Sequence, residues 1–251
     1  MTTPTLCVII PSFRHFDYVF ACLESLQATT PDACVLLLDD ASPDYPYDRV
    51  LAWTRRPLTA AIRFDVHGGL TRSWNEGLRH ARQLGIPYAV CGNSDLLFSP
   101  GWEQPLLRAL DQGYKLVGPV SNTPGTTIGG RQDVAAWLAE YTLSDTPDSI
   151  ATTAAKLLQC YGYTGYGSPL NGFCMMARTA DWWEGAFDSQ HVFNPANKMT
   201  GNEDELQARW RRRGWTTAVV PGSFVFHYRS VSRGERYKRG RWLRRQKETP
   251  T

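Results

Sequence analysis

No stretch of the chain approaches the roughly 18 consecutive apolar residues that a membrane span requires. The opening segment MTTPTLCVIIPSF has no basic leader and only a short apolar run. These absences make a soluble, cytoplasmic protein the expectation. The six cysteines, at positions 7, 22, 34, 91, 160 and 174, never fall in a C-x-x-C spacing, which argues against a zinc or disulfide framework. Cys7, Cys34, Cys91 and Cys174 sit in apolar, strand-like runs and read as buried free thiols. The glycine-rich stretches HGGL and YGYTGYGSP match neither G-x-G-x-x-G after a first strand nor G-x-x-x-x-G-K-[ST]. Dinucleotide and P-loop chemistry are thereby excluded, and any phosphate handling must use a metal ion. No internal repeat, low-complexity tract or dividing linker is present.

What is present is a chain of 251 residues, 42% hydrophobic and 20% charged, long enough to bury a large core as one domain or one domain with an elaborated half. Its net charge of +3 is unevenly spread. Nine Lys or Arg against two Glu from Arg229 onward make a local +7, which leaves the first 228 residues at −4. The basic end reads either as a solvated terminus or as a contact for a phosphate-rich partner, an anionic membrane surface or the protein's own anionic ligand.

Apolar runs alternate with segments of helical period. LCVII (6–10), CVLLLDD (34–40), AIRFDV (61–66) and YAVCG (88–92) read as strands. FDYVFACLESLQ (16–27) reads as a helix with Tyr18 or Val19, Cys22, Leu23 and Leu26 on one face. TRSWNEGLRHARQLG is another, with Trp74, Leu78, Ala81 and Leu84 inward and Gly85 as its stop. Strands separated by such helices imply βαβ units, a parallel sheet buried on both faces and an α/β fold of nucleotide-binding type. Further on, a helix closing at Gly113, a strand YKLVGPV, a loop over 121–130, helical pieces near 131–140 and 147–159, a strand FCMMA, a helix EDELQARWRRRG closed by Gly214 and two closing strands, WTTAVV and SFVFHY, complete the expectation.

In open α/β sheets ligands bind at the carboxyl ends of strands. Asp39 and Asp40 end the second strand, Asp95 follows the fourth in CGNSDLLFSP, and Glu203 with Asp204 open a late helix. Each could be a turn or first-turn residue. Together they place three acidic stations on one edge, and Asp95 is the natural first ligand for Mg²⁺ or Mn²⁺ bridging to a diphosphate.

The ordered set VIIPSFRHFDYVFACLESL, LLLDDASPD, NSDLLFSPGW, GPVSN, NGFCMMAR, GNEDEL with RWRRRGW, and VFHY resembles the inverting glycosyltransferases of family 2, with the GT-A fold. The resemblance implies a Rossmann-like, mostly parallel central sheet flanked by helices. It implies one GT-A domain over 1–232, with a nucleotide-sugar-binding half (1–120) and an acceptor and catalytic half (121–232), followed by a basic tail (233–251). It places Pro11, Ser12 and Phe13 at the nucleotide base and Asp40 on the base or ribose. It puts Asn93, Ser94 and Asp95 at the D-x-D position, with Asn in place of the first Asp and Asp95 as direct metal ligand. Asn75, Asn171 and Gly172 join the nucleotide-sugar contacts. Asp204 matches the catalytic base, with Glu203 as second choice, and His227 a position that helps to hold metal or diphosphate; an interior histidine in an apolar strand is its other reading.

The implied reaction is a metal-assisted single displacement from a UDP, dTDP or GDP sugar, with inversion. Positive charge at Asp95 would stabilise the leaving diphosphate, and a carboxylate at Asp204 would take the acceptor's proton. Tyr161, Tyr163 and Tyr166 could stack on a sugar or base, or pack locally. The acceptor is left open among a glycan, a lipid-linked sugar, a protein or a polyanion such as DNA carrying hydroxymethylated bases. A sugar nucleotidyltransferase would want a Gly-rich, basic signature after the first strand, which is missing. A non-catalytic glycan- or nucleic-acid-binding module is the alternative from another class.

Overall fold

The computed structural model describes residues 4–125 and 131–228. The basic segment 233–251, with its expected polyanion contact, and residues 126–130 of the 121–130 loop lie outside the described residues.

The first strand, β1 (Leu6–Ser12), is buried along its whole length. Side chains alternate across a strand, so Leu6, Val8 and Ile10 enter one core while Cys7 and Ile9 enter another. The first core is closed by α1 (Phe16–Thr29), α2 (Tyr47–Trp53) and α4 (Glu103–Asp111). The second is closed by α3 (Leu70–Gln83), α5 (Pro147–Tyr161), α6 (Thr179–Glu184) and α7 (Asn202–Arg212). Two helical layers on one sheet explain why the early strands read as continuous apolar runs.

β1 pairs in parallel with β2 (Cys34–Asp39) and β4 (Tyr88–Gly92), and β2 with β3 (Thr59–Arg63). The expected parallel half is therefore present. The second half is mixed. β8 (Cys174–Arg178) runs antiparallel to both β4 and β6 (Leu116–Val120). β6 in turn pairs in parallel with β9 (Thr217–His227), and β9 takes β5 (Leu96–Phe98) and the short β7 (Tyr166–Gly167) as antiparallel neighbours. The sheet order is β3-β2-β1-β4-β8-β6-β9-β5.

Several expectations need correction. The two closing strands are one: the β6–β9 register jumps from Pro119↔Val220 to Val120↔Phe224, so Pro221, Gly222 and Ser223 make a bulge and not a break. The helical piece expected near 131–140 shrinks to a single 3-10 turn, Val134–Ala136. There the Gln132 amide bonds Pro119 O and accepts from Asn171 N, and Ser121 bridges Asp133, pinning the segment to the end of β6. Leu84, expected inward, is 55% exposed because α3 has already ended: Gly85 takes a left-handed conformation (φ 67°), and Ile86 N turns back to Ala81 O. Cys7, Cys34, Cys91 and Cys174 are buried and free as expected.

Gly77 is where α3 lies closest to the sheet: a Cβ there would run into the Ile9 side chain of β1. Ile9 is β-branched and wholly buried, so it has little freedom to yield. Gly77→Ala, although favourable for helix propensity, is expected to lower unfolding stability by about 2 kcal/mol, read as a shift in urea midpoint at unchanged slope.

Candidate active site

The parallel strands end on a common edge, and a cleft of about 1030 Å³ opens there. Its lining contains Pro11, Ser12, Phe13, Asp40, Asn93, Ser94, Asp95, Asn171, Gly172, Glu203, Asp204 and His227. One residue expected with them, Asn75, is absent from that lining. Its side chain donates to Phe193 O (3.0 Å) and accepts from Phe193 N (2.8 Å), so both ends of the amide are spent on holding the 193 segment.

At one end stand the loops that follow β1 and β2. Phe13 and His67 bring their ring centroids to 4.5 Å. Arg14, His15 and Ala41 all adopt left-handed backbone (φ 61°, 55° and 61°), a conformation unfavourable for side-chain-bearing residues and concentrated at functional sites. Asp40 is a wall-builder. One carboxylate oxygen accepts from Gly68 N (2.9 Å) and Arg72, and the other from Gly69 N (2.7 Å), with His67 Nδ1 2.7 Å away. Asp40 thereby fixes the His67–Gly69 turn at this end of the cleft.

In the middle, the chain leaves β4 through Gly92 and Asn93, whose backbone N–H donates to Phe173 O (2.8 Å). It re-enters the sheet as β5. The β5–β9 register pairs Leu96 with His227, and Tyr228 N donates to Asp95 O (3.0 Å). This pairing brings Asp95 Oδ1 to 3.1 Å from His227 Nε2. The His227 backbone is braced by Asn122 and Thr123, and its ring stacks on Phe173 at 5.4 Å. His227 Nδ1 lies 3.0 Å from Thr123 O, which can only accept, so Nδ1 carries a hydrogen. In the neutral ring, Nε2 then points a lone pair at a carboxylate oxygen. Two such acceptors are compatible at this separation only with a cation near both, a proton or a metal ion. Among the described residues no group of three or more His, Cys, Asp or Glu is placed to hold a metal ion. A divalent cation here would have two protein ligands and take the rest from water and substrate oxygens, as Mg²⁺ and Mn²⁺ do.

Across the cleft, Asn202 opens α7, donates to the Thr71 hydroxyl of α3 and accepts from Glu203 N. The Gln207 amide bonds Leu170 at both its N–H (2.7 Å) and its carbonyl (2.8 Å), clamping the 169–172 loop to α7. Gly172 consequently sits against the Glu203 carboxyl, where a Cβ would be 3.1 Å away. Burial pushes that carboxyl above the usual range; backbone N–H groups of Glu203 and Gly172 oppose this, and the neighbouring Asp204 charge adds to it. Asp204 is exposed on the cleft side. Gln207, Ala208 and Arg211 continue its face at i+3, i+4 and i+7. Arg209 and Arg213, by contrast, are paired with Glu205 and Glu184.

Tyr161 and Tyr166 lie outside this cleft lining: both rings pack on Trp137, and the Tyr161 hydroxyl donates to Trp137 O. Tyr163 is 48% exposed, away from the cleft. Sequence reasoning missed Tyr18, His67, Ser73 and Trp74 as cleft residues. The i+7 spacing from Asp204 was the available signal for Arg211.

Residues 7–157, more than half of the chain, match the family model described as glycosyl transferase family 2. The chain belongs to glycosyl transferase family 2. A search of curated proteins gave no match. Among solved structures, GalNAc-T7 with UDP, GalNAc and Mn²⁺ superposes with a TM-score of 0.64 at 17% identity, over 89% of this chain and 43% of that one. TarS 1–349 of S. aureus superposes at 0.58 with 14% identity, over 89% of this chain and 60% of that one. Its complex with UDP gives 0.58 at 15% identity, over 88% and 60%. The family 2 chain thus spans about half the length of these neighbours, whose likeness establishes the GT-A glycosyltransferase fold. Among the described residues no helix is long and apolar enough to cross a membrane.

A raised carboxyl sets a sign for pH dependence. The folded state holds the Glu203 proton more tightly than the unfolded chain does. Its stabilising contribution is therefore complete below the ordinary carboxylate pKa and is lost as pH rises through the raised value. Glu203→Gln is expected to match the wild type in thermal stability in acid and to exceed it above that window. Thermal melts from pH 4 to 8 check this.

Proposed function

We propose that the protein transfers a sugar from a nucleotide-diphosphate sugar to an acceptor hydroxyl, with inversion at the anomeric carbon. The observation that carries this is one cleft with the Asp95–His227 pair on one wall and Glu203 and Asp204 on the other. The metal-bound and UDP-bound fold neighbours support the choice of donor and of Mn²⁺ as cofactor.

Phe13 and the Asp40-held His67 face the nucleoside, with Pro11 and Ser12 forming the floor beside them. Asp95 and His227 would hold a divalent cation, whose positive charge would favour departure of the diphosphate. Asp204, exposed to the cleft, accepts the proton of the attacking hydroxyl; Glu203, half-buried beside it and bonded to the Gly172 backbone, shapes its field. A single carboxylate acting on the acceptor suits one displacement, with no protein nucleophile required. Arg211 lies seven residues beyond Asp204, about 10 Å along the axis of α7, and gives the acceptor end a positive charge. An acceptor carrying phosphate or carboxylate fits this end. A screen in which neutral glycans outcompete their phosphorylated counterparts would contradict that assignment. We extend the same proposal to a single domain over 1–232 working in the cytoplasm.

In a thermal-shift assay, UDP with MnCl₂ at about a hundred times Kd should raise Tm by roughly 5–10 °C. Asp95→Ala should remove the manganese-dependent part of that rise. Asp204→Asn should keep the full rise while cutting turnover, measured as nucleotide release from the sugar donor, by about a hundredfold to ten-thousandfold. Full turnover in the Asp204 variant would transfer the base role elsewhere, and wild-type binding without any turnover would favour a non-catalytic module.

A further inference from the structure

Helix α3 turns one face to the cleft, formed by Leu70, Ser73 and Trp74 at i, i+3 and i+4. Ser73 is fully buried and Trp74 is 1% exposed. Among the described residues, buried side-chain atoms without a hydrogen-bond partner belong to Trp53, Arg72, Ser73, Trp74, Glu103 and Asp181. Of these residues, Ser73 and Trp74 alone line the cleft. Buried polar atoms are ordinarily satisfied, and an indole N–H can be satisfied only by an acceptor. Both residues line the cleft, where a ligand could supply one.

The Trp74 ring is also held in place. The Trp74 ring packs on Phe193 at 5.2 Å, and Asn75 clamps the Phe193 backbone from both sides. Thr71, one turn earlier, is bonded to Asn202 at the head of the helix that carries Glu203 and Asp204. This α3 face therefore belongs to the same wall as the acidic pair. The nucleoside end and the cation pair are formed by other residues, which leaves the hydroxyl-rich part of the donor for Ser73 and Trp74. Resting on the transfer reading above, we infer that the Ser73 hydroxyl and the Trp74 indole N–H bind hydroxyl oxygens of the transferred sugar and select its identity. Asn75 acts as a positioning residue behind them.

The test is calorimetric titration of wild type, Ser73→Ala and Trp74→Phe in MnCl₂. The probes are UDP-glucose, UDP-N-acetylglucosamine, GDP-mannose and dTDP-glucose, each against its own nucleoside diphosphate. Trp74→Phe keeps the ring against Phe193 and removes the N–H. Each variant should weaken the sugar nucleotide that the wild type binds by about fivefold or more, with affinity for the bare diphosphate unchanged. Unchanged sugar-nucleotide affinity together with a higher Tm would overturn the inference, since the two atoms would then be merely unsatisfied. An equal loss for the bare diphosphate would overturn it too, by moving the contact to the nucleotide. If Trp74→Phe lowers Tm sharply, Ser73→Ala decides alone. A wild type that binds none of these nucleotides would instead overturn the transfer reading itself.

Discussion

The antiparallel pairing of β5 with β9 is the contact on which the site depends. Leu96 opposite His227 is a pairing between residues 131 positions apart, and it alone puts the carboxylate that follows β4 beside the imidazole that ends β9. β9 can reach both β6 and β5 because the Pro221–Ser223 bulge bends one strand between two partners. Without that bulge the strand would continue along β6, and His227 would have no reason to meet Asp95. The Asp95–His227 pair is thus a product of sheet register, with the other ring nitrogen facing a backbone carbonyl, Thr123 O.

The opposite wall is built by side chains that spend themselves on backbone. Asn75 holds Phe193, Gln207 holds Leu170, Asn202 holds Thr71, and Gln132 bridges Pro119 and Asn171. These buried amides join loops that are far apart in sequence, and each satisfied amide fixes where a cleft residue stands. Glu203 shows the consequence: burial raises the pKa of its carboxyl and the Asp204 charge adds to this, although the backbone N–H groups of Glu203 and Gly172 oppose it. Asp204, one residue on, faces open cleft. Adjacent carboxylates with different surroundings can take different tasks.

Much of the first half of the fold was legible from residue pattern. Continuous apolar runs gave β1, β2 and β4, and the spacing of Trp74, Leu78 and Ala81 gave the buried face of α3. The second half was less legible because its strands are antiparallel additions whose partners are distant, and because short pieces such as α2, α6 and β5 offer too few residues for a period to show. Among the expected site residues, the loop positions at strand ends all line the cleft. Asn75 does not line the cleft but bonds the Phe193 backbone, and a motif position says nothing about where an amide's bonds go.

Composition, strand pattern and the order of acidic stations determined on their own that this is an α/β chain with an acidic edge at its strand ends, while the family 2 arrangement rested on the resemblance of its ordered motifs. Local sequence can fix these because periodicity and turn chemistry act over a few residues. Only the tertiary structure decided which polar groups are spent and which remain. It ties Asp40 to the 68–69 turn, sends Asn75 to Phe193, pairs Asp95 with His227, and leaves the buried Ser73 hydroxyl and Trp74 indole N–H without a partner among the described residues. A hydrogen bond between residues 30 or 130 positions apart has no sequence period, so nothing short of the folded chain could assign it.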